Sequence, residues 1–410
     1  MNRFFYTLLL YVLLPFVFAR LFLKARRQGG YRLHLKERFG IYETAPRENT
    51  LWLHAVSVGE ARAAAPLIEK LIETYPECHF LVTHMTPTGR ETGEKLYGKK
   101  ATICYLPYDY PFAVKRFLEH FKPKIGLLME TELWFNLIHQ CRKNDVPLFL
   151  VNARLSEKSL NSYLRIEKLA RQGLSELAGI AAQSEADAAR LGRLGAKKIS
   201  VCGNLKFDVP VPENIADFRP LFDARPVFLA ASTREGEEEL ILEAFQNVEG
   251  VLLVVVPRHP QRFAEVESLL KSGNISYVKR SEGRKVDSGT KVFLGDSMGE
   301  MYAYYAACDC AYIGGSLLPF GGQNLIEAAS LGKPVFFGPH TYNFEEACHL
   351  ALQAGAAVRV ENAPKLAKAA ARLLSDPERL KKMGDAGLAF AAHNRGAIQK
   401  IMDLIQPAIS

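Results

Sequence analysis

"LWLHAVSVGEARAAAPLIEKL" (residues 51–71) passes from a short apolar run through a single glycine into a segment with apolar residues every three to four positions. The first part predicts a buried β-strand and the second an amphipathic helix, joined by a tight turn. Strand–turn–helix is the building unit of parallel α/β sheets. The turn in such units often cradles a phosphate, because amides at a helix start point outward and carry partial positive charge. Here the turn is Ser57-Val58-Gly59-Glu60, with one glycine and then a carboxylate. A carboxylate repels a phosphate, so Glu60 needs a different role.

The same alternation extends along the chain. "CHFLVTH", "ATICYLP", "KIGLLME", "PLFLVNA", "GIAAQS" and "KISVCGN" read as further strands of the first half, with helical segments such as "FNLIHQCRKN" between them. Strands this apolar, separated by helices, predict a parallel sheet covered on both faces. The proline-bearing stretch "FDVPVPENIADFRPLFDARP" interrupts the rhythm. Alternation then resumes with "VFLAAS", "VLLVVVPRH", "ISYVKR", "KVFLGD", "CAYIGG" and "KPVFFGP", and helix-rich sequence follows about residue 363. The expected architecture is α/β, with two doubly wound Rossmann-like domains and a cleft between them. The expected divisions are an N-terminal anchor (1–27), a first domain (28–208), a linker (209–224) and a second domain (225–410). In such sheets ligands lie at the carboxyl ends of the strands.

Ordinary composition, with 48% apolar and 23% charged residues in 410, indicates globular domains without low-complexity tracts. The net charge of +8 is unevenly placed. Before residue 45, Arg3, Arg20, Lys24, Arg26, Arg27, Arg32, Lys36 and Arg38 face only Glu37 and Glu43. A basic cluster beside an apolar segment points to an anionic membrane more than to nucleic acid. No zinc-finger spacing, basic helix or RNA-binding aromatic motif is present to support nucleic-acid binding. The apolar run "FFYTLLLYVLLPFVFARLFL" predicts an anchor, either spanning or lying in the interface. With Arg3 before the run and Arg20, Lys24, Arg26 and Arg27 after it, the positive-inside rule keeps the protein's body in the cytoplasm. A cleaved signal peptide ending near Val17-Phe18-Ala19 is the rival reading. Seven scattered cysteines without a C-x-x-C pair read as reduced core residues.

Two strand ends in the first half carry carboxylates: Glu60, and Glu130 with Glu132 in "LLMETELW". An acidic residue at a helix start is often only favourable with the helix dipole, by about 0.3–1 kcal/mol. Two such ends at one ligand-binding edge favour function, because neighbouring carboxylates raise one another's pKa toward that of a general base. The second half offers anion-binding groups. Arg258 and His259 follow an apolar strand, and arginine's planar fork suits phosphate. Met298-Gly299-Glu300 opens a helix, and glycine pairs precede Asn324 and Glu327, whose i,i+3 spacing places both on one face. Lys206, in "GNLKFD", lies near the domain junction, while Ser232 and Thr233 read as helix caps.

In this order, "ERFG", "HAVSVGE", "METELW", "VNARLS", "GNLKFD", "AASTREGEE", "VPRHPQRF", "GDSMGEM", "GGQNLIEAASLGKPV" and "GPHTYNF" resemble the Kdo (3-deoxy-D-manno-octulosonic acid) transferases over nearly the whole chain. The resemblance implies the GT-B fold and inverting transfer of Kdo from CMP-Kdo to the lipid A disaccharide precursor, lipid IVA, in lipopolysaccharide biosynthesis. It also implies the cytoplasmic face of the inner membrane and no cofactor or metal, in keeping with the lack of a D-x-D motif near the cleft segments. By this resemblance Glu60 is the general base, and Glu130 and Lys206 stabilise the transition state. Pro257, Arg258, His259, Met298, Gly299, Glu300, Asn324, Leu325, Ile326 and Glu327 would bind CMP-Kdo. Gln323 stands where histidine is expected, and Arg234 also departs from the pattern. Another GT-B transferase or an epimerase using a UDP-sugar is the alternative, and a catalytically silent membrane-tethered binding protein is a further one.

Overall fold

The computed structural model describes residues 1–27, 29–208 and 211–409. They form two compact units, Met1–Asp208 with Arg395–Ser410, and Val209–Asn394.

The first unit holds seven parallel strands: β1 (Thr50–His54), β2 (His79–His84), β3 (Thr102–Tyr105), β4 (Pro123–Met129), β5 (Leu148–Ala153), β6 (Gly179–Ala182) and β7 (Ile199–Val201). They are ordered 3-2-1-4-5-6-7. Their almost uninterrupted burial matches their apolar composition, since helices cover both faces. The order reverses between β1 and β4, which makes their carboxyl ends the switch point. Helix α1 (Arg3–Arg27) precedes the sheet; α2 (Val58–Thr74), α3 (Pro87–Tyr97), α4 (Pro111–Phe121) and α5 (Phe135–Lys143) follow β1 to β4.

One face of the sheet packs Leu67, Ile68 and Leu71 of α2 together with Ile401, Met402 and Ile405 of the C-terminal helix Ala397–Ile409. That helix was expected in the second domain. Its apolar stripe instead completes the face that α2 leaves uncovered, and the Asp208 carboxylate accepts the amides of Gly396 (2.6 Å) and Ile398 (2.5 Å) at its start. The expected second domain therefore ends before Arg395.

Along α1, Arg3, Tyr6, Thr7, Leu10, Leu14, Val17, Leu21 and Ala25 are the less exposed positions. This three-to-four-residue recurrence is the seam of a helix docked over its whole length. Polar contacts fix the seam at its start. The Tyr6 hydroxyl donates to Asp109 (2.8 Å), Thr7 donates to Asn136 (2.9 Å), and the Tyr110 hydroxyl donates to the Leu10 carbonyl (3.1 Å). The opposite face is apolar and open. Fifteen of the twenty exposed large hydrophobic residues among the described residues fall between Met1 and Ile41, so the outward apolar surface is concentrated there.

The second unit repeats the plan with β8 (Val227–Thr233), β9 (Leu252–Pro257), β10 (Tyr277–Lys279), β11 (Val292–Leu294), β12 (Cys310–Ile313), β13 (Val335–Phe337) and β14 (Ala357–Arg359). All are parallel, in the order 10-11-9-8-12-13-14. The switch point lies between β8 and β12. The sequence reading missed β14, three residues long and only partly buried. The expected linker begins at 209–210, outside the described residues. Its later part is no free connector, because Phe218 and Phe222 pack edge-on against Tyr304 and Phe293 of the second unit.

Candidate active site

Glu60 lies in the first turn of α2, one turn past the end of β1. Ser57 is the N-cap, and the side chains of Ser57 and Glu60 satisfy each other: Glu60 N–H donates to Ser57 Oγ (3.4 Å) and Ser57 Oγ donates to Glu60 Oε1 (2.9 Å). The Val56 amide donates to Oε2 (2.8 Å). Glu60 is thus both a capping residue and a positioned carboxylate. Burial pushes its pKa up to about 7, with the charges of Glu130 and Glu132 adding to the rise and the Val56 and Ser57 hydrogen bonds opposing it. A carboxyl that titrates near neutrality suits proton abstraction.

Glu130 follows β4, on the other side of the switch point. Its φ of 57° is left-handed, a conformation that non-glycine residues rarely adopt, and such strain clusters at functional sites. Arg154 Nε donates to its Oε2 (3.1 Å). Glu132 accepts from Trp134 Nε1 (2.7 Å), and burial raises its pKa. Beneath these, His54 and His84 are buried and held neutral. Burial lowers their pKa values to about 3 and about 4, so neither supplies positive charge to the carboxylates.

Lys206 sits on a 3-10 turn (Leu205–Asp208) that packs against α2. The Asn152 carboxamide oxygen accepts the Leu205 amide (3.0 Å), while Gln183 donates to the Asn152 carbonyl (2.8 Å) and accepts from Asn204 (2.9 Å). This buried amide network fixes the loop that carries Lys206. Asn152 and Asn204 fall in the motifs "VNARLS" and "GNLKFD", but nothing in the sequence joins them, because the members are about 20 to 50 positions apart.

In the second unit, Pro257 ends β9, and the Arg258 amide donates to the Thr233 carbonyl (3.0 Å). Asn324 Nδ2 donates to Glu327 Oε1 (3.1 Å), as the i,i+3 spacing predicted, and Asn324 Oδ1 takes the Ile326 amide (3.0 Å). Burial raises the Glu327 pKa, with Asn324 and the charge of Arg258 pulling it back. Arg258, Asn324 and Glu327 therefore form one polar group. Leu325 and Ile326 have their side chains in the core, leaving only main chain for a ligand. Met298 is exposed, Gly299 has φ 82° with open space beside it, and Glu300 pairs with Arg280 (2.9 Å). Arg234 stacks over Phe320 and pairs with Glu235, and Gln323 approaches Gly315.

The expected Ser232 and Thr233 caps are not found. Gly236, with φ 84°, caps the helix Glu237–Phe245, while Ser232 is buried in a left-handed conformation and Thr233 donates to Glu238 (2.9 Å). The residue sequence reasoning passed over is Glu237. Fully buried, it accepts from the Tyr312 hydroxyl (2.6 Å) and from the amides of Gly315 (2.6 Å), Ser316 (3.0 Å), Leu317 (3.0 Å) and Arg234 (2.9 Å). It lies inside the motif "AASTREGEE", but the run of three glutamates that begins there reads as a solvated helix start.

Residues 33–209 match the family described as 3-Deoxy-D-manno-octulosonic-acid transferase (kdotransferase), and residues 227–389 match glycosyl transferases group 1. The chain is 40% identical over 426 aligned residues to the 3-deoxy-D-manno-octulosonic acid transferase of Bordetella pertussis, with 99% of each chain covered. It belongs to the Kdo transferase family. The Haemophilus influenzae member is 37% identical, again over 99% of both chains. Among solved structures, the UDP-GlcNAc 2-epimerase of Neisseria meningitidis aligns with a TM-score of 0.57 at 18% identity, covering 87% of this chain and 100% of that one, a likeness of fold. The enzyme is a glycosyltransferase of GT-B fold, in a family that transfers Kdo in lipopolysaccharide biosynthesis.

Proposed function

We propose that the enzyme moves Kdo from CMP-Kdo to the lipid A disaccharide precursor (lipid IVA) with inversion, at the cytoplasmic face of the inner membrane. Glu60 takes the proton from the attacking sugar hydroxyl as the new bond forms at the anomeric carbon and CMP leaves. Arg258 and Lys206 meet the negative charge growing on the departing phosphate. Glu130, like Lys206 a stabiliser of the transition state, also holds up the pKa of Glu60, and Glu327 with Asn324 offers a carboxylate and an amide to the nucleoside. Helix α1, with its outward apolar face and basic neighbours, attaches the enzyme to an anionic bilayer.

The observation that carries the reading is Glu60: a carboxyl pushed to about 7, at a switch point, in a Kdo transferase. Incubating purified enzyme with CMP-Kdo and lipid IVA is expected to add the mass of whole Kdo units to the lipid and release CMP. Turnover of UDP-sugars in place of CMP-Kdo would overturn the donor assignment. A base must be deprotonated to act, so kcat/KM is expected to rise with pH to a plateau, with a midpoint near 7. Removing a neighbouring charge by Glu132→Gln should move that midpoint to lower pH. An unchanged midpoint would separate Glu60 from the titration.

A further inference from the structure

A cavity of about 320 Å³ lies between α1 and the loops that follow β2, β3 and β4 in the first unit, with Leu10, Val17, Leu21, Arg20, Lys24 and Arg38 among its walls. Its charges do not balance. Arg38 is 1% exposed, yet among the described residues no carboxylate pairs with it. Its two terminal nitrogens donate to the Met85 carbonyl (3.2 Å each), its Nε has no hydrogen-bond partner among the described residues, and its guanidinium lies over the rings of Tyr105 (4.1 Å), Tyr31 (5.6 Å) and Tyr108 (5.7 Å), which supply no counter-charge. Among the described residues Lys24 and Arg20 are also without an ion pair, and Lys24 sits over Tyr31 (5.0 Å). The neighbouring acid of Arg38 in sequence, Glu37, is taken by Arg90 (2.6 Å) and the Tyr105 amide (2.8 Å). The one carboxylate in the cavity wall, Asp109, already accepts from Tyr6 and from the amides of Asn136 (3.0 Å) and Leu137 (2.7 Å). A buried, unpaired guanidinium is costly unless an anion completes it.

The remaining walls say what kind of anion fits. Leu10, Val17 and Leu21 are apolar and belong to a helix whose other face is open and apolar, so the ligand has both a charged and a hydrocarbon part. The cavity also abuts the carboxylates. Trp134 lines it and donates to Glu132, and Thr86 lines it and donates to the Val56 carbonyl (3.3 Å), whose own amide donates to Glu60.

We infer that this cavity binds the phosphate headgroup of a membrane lipid, with Arg38, Lys24 and Arg20 as the anion's partners and α1 as the side along which the acyl chains pass. Resting on the acceptor reading above, the occupant is the acceptor lipid itself, held by a phosphate while its sugar hydroxyl reaches Glu60. The three cations and the apolar seam of α1 thus bind and orient the acceptor without taking part in proton transfer.

The test uses the enzyme in neutral detergent, titrated with lipid IVA while its tryptophan fluorescence is followed, with Trp134→Phe to identify the part that comes from the cavity wall, together with steady-state kinetics. Lys24→Gln and Arg38→Gln are each expected to weaken lipid binding and raise the acceptor KM by about 10–100-fold, the usual effect of losing a hydrogen bond to a charged group. The KM for CMP-Kdo should stay as it is. Because Arg38 is buried, Lys24→Gln with Arg20→Gln serves as the variant that leaves the core untouched. Wild-type acceptor KM in that double variant would overturn the proposal while leaving the transferase reading intact. Equal displacement of lipid IVA by phosphatidylglycerol would assign the site to bulk lipid and overturn its assignment to the acceptor. Tight, Lys24-dependent lipid binding without any transfer by the wild type would refute the acceptor reading and leave the phosphate site standing.

Discussion

Glu60→Gln is expected to cut transfer by about 10²–10⁴-fold, the typical contribution of a general base, while CMP still binds. The variant separates the two roles of Glu60. As a cap, the side chain needs acceptors for the Val56 amide and the Ser57 hydroxyl, and a glutamine oxygen retains one of them. As a base it needs a lone pair that takes a proton near neutral pH, and glutamine has none. Rate and fold should therefore part company: the helix persists and turnover collapses. Rapid turnover with a single-turnover rate close to wild type would end the assignment.

The same carboxyl leaves a mark on stability. Its pKa in the folded enzyme, about 7, lies above the ordinary glutamate value. The folded state then holds the proton more tightly than the unfolded chain. Stability from this group is complete below the unfolded pKa and is lost as pH climbs to about 7. Thermal unfolding of the wild type should show this loss between about pH 4.5 and 7, and Glu60→Gln should lack it. A pH-independent difference between the two proteins would mean that Glu60 is an ordinary exposed acid.

Thirteen of the fourteen strands among the described residues were legible because each is an apolar run closed by a turn residue, and a parallel sheet rewards that pattern directly. The positions of Glu60 and Glu130 just after β1 and β4 were legible for a related reason, since a charged residue at the end of an apolar strand stands out; the roles proposed for them rest on the family resemblance. What stayed hidden depends on contacts between distant residues. The helix Ala397–Ile409 carries an apolar stripe that would suit either sheet, and only Asp208, nearly two hundred positions earlier, ties it to the first unit. The docking seam of α1 also stayed hidden: the run reads as an anchor, spanning or interfacial, and a three-to-four-residue recurrence of Tyr, Thr, Leu and Val does not stand out inside a uniformly apolar segment. Arg38 reads as one more surface cation in a basic region, yet it is buried.

Glu237 is the sharpest instance, and Glu237→Ala is expected to lower the stability of the second unit by about 4 kcal/mol, at the upper end for one side chain. Its two carboxylate oxygens accept from four main-chain amides and one tyrosine hydroxyl, all inside the protein. Alanine strands these donors where water cannot reach them. The loss should spread to the segment proposed to bind the donor, because the Gly322 amide donates to the Gly315 carbonyl (2.6 Å) and Asn324 follows two residues later. Glutamine is no remedy. Oε1 takes Tyr312, Ser316 and Leu317 while Oε2 takes Gly315 and Arg234, so whichever position becomes NH₂ meets donors head-on. Urea unfolding and CMP titration should therefore find both variants destabilised and weak in CMP binding, whereas Glu60→Gln is strong in both. Wild-type unfolding of Glu237→Ala would show that the loop at 315–317 is held by something other than this carboxylate. Normal CMP affinity in a destabilised variant would detach the glycine loop from the proposed donor-binding segment that begins at Asn324.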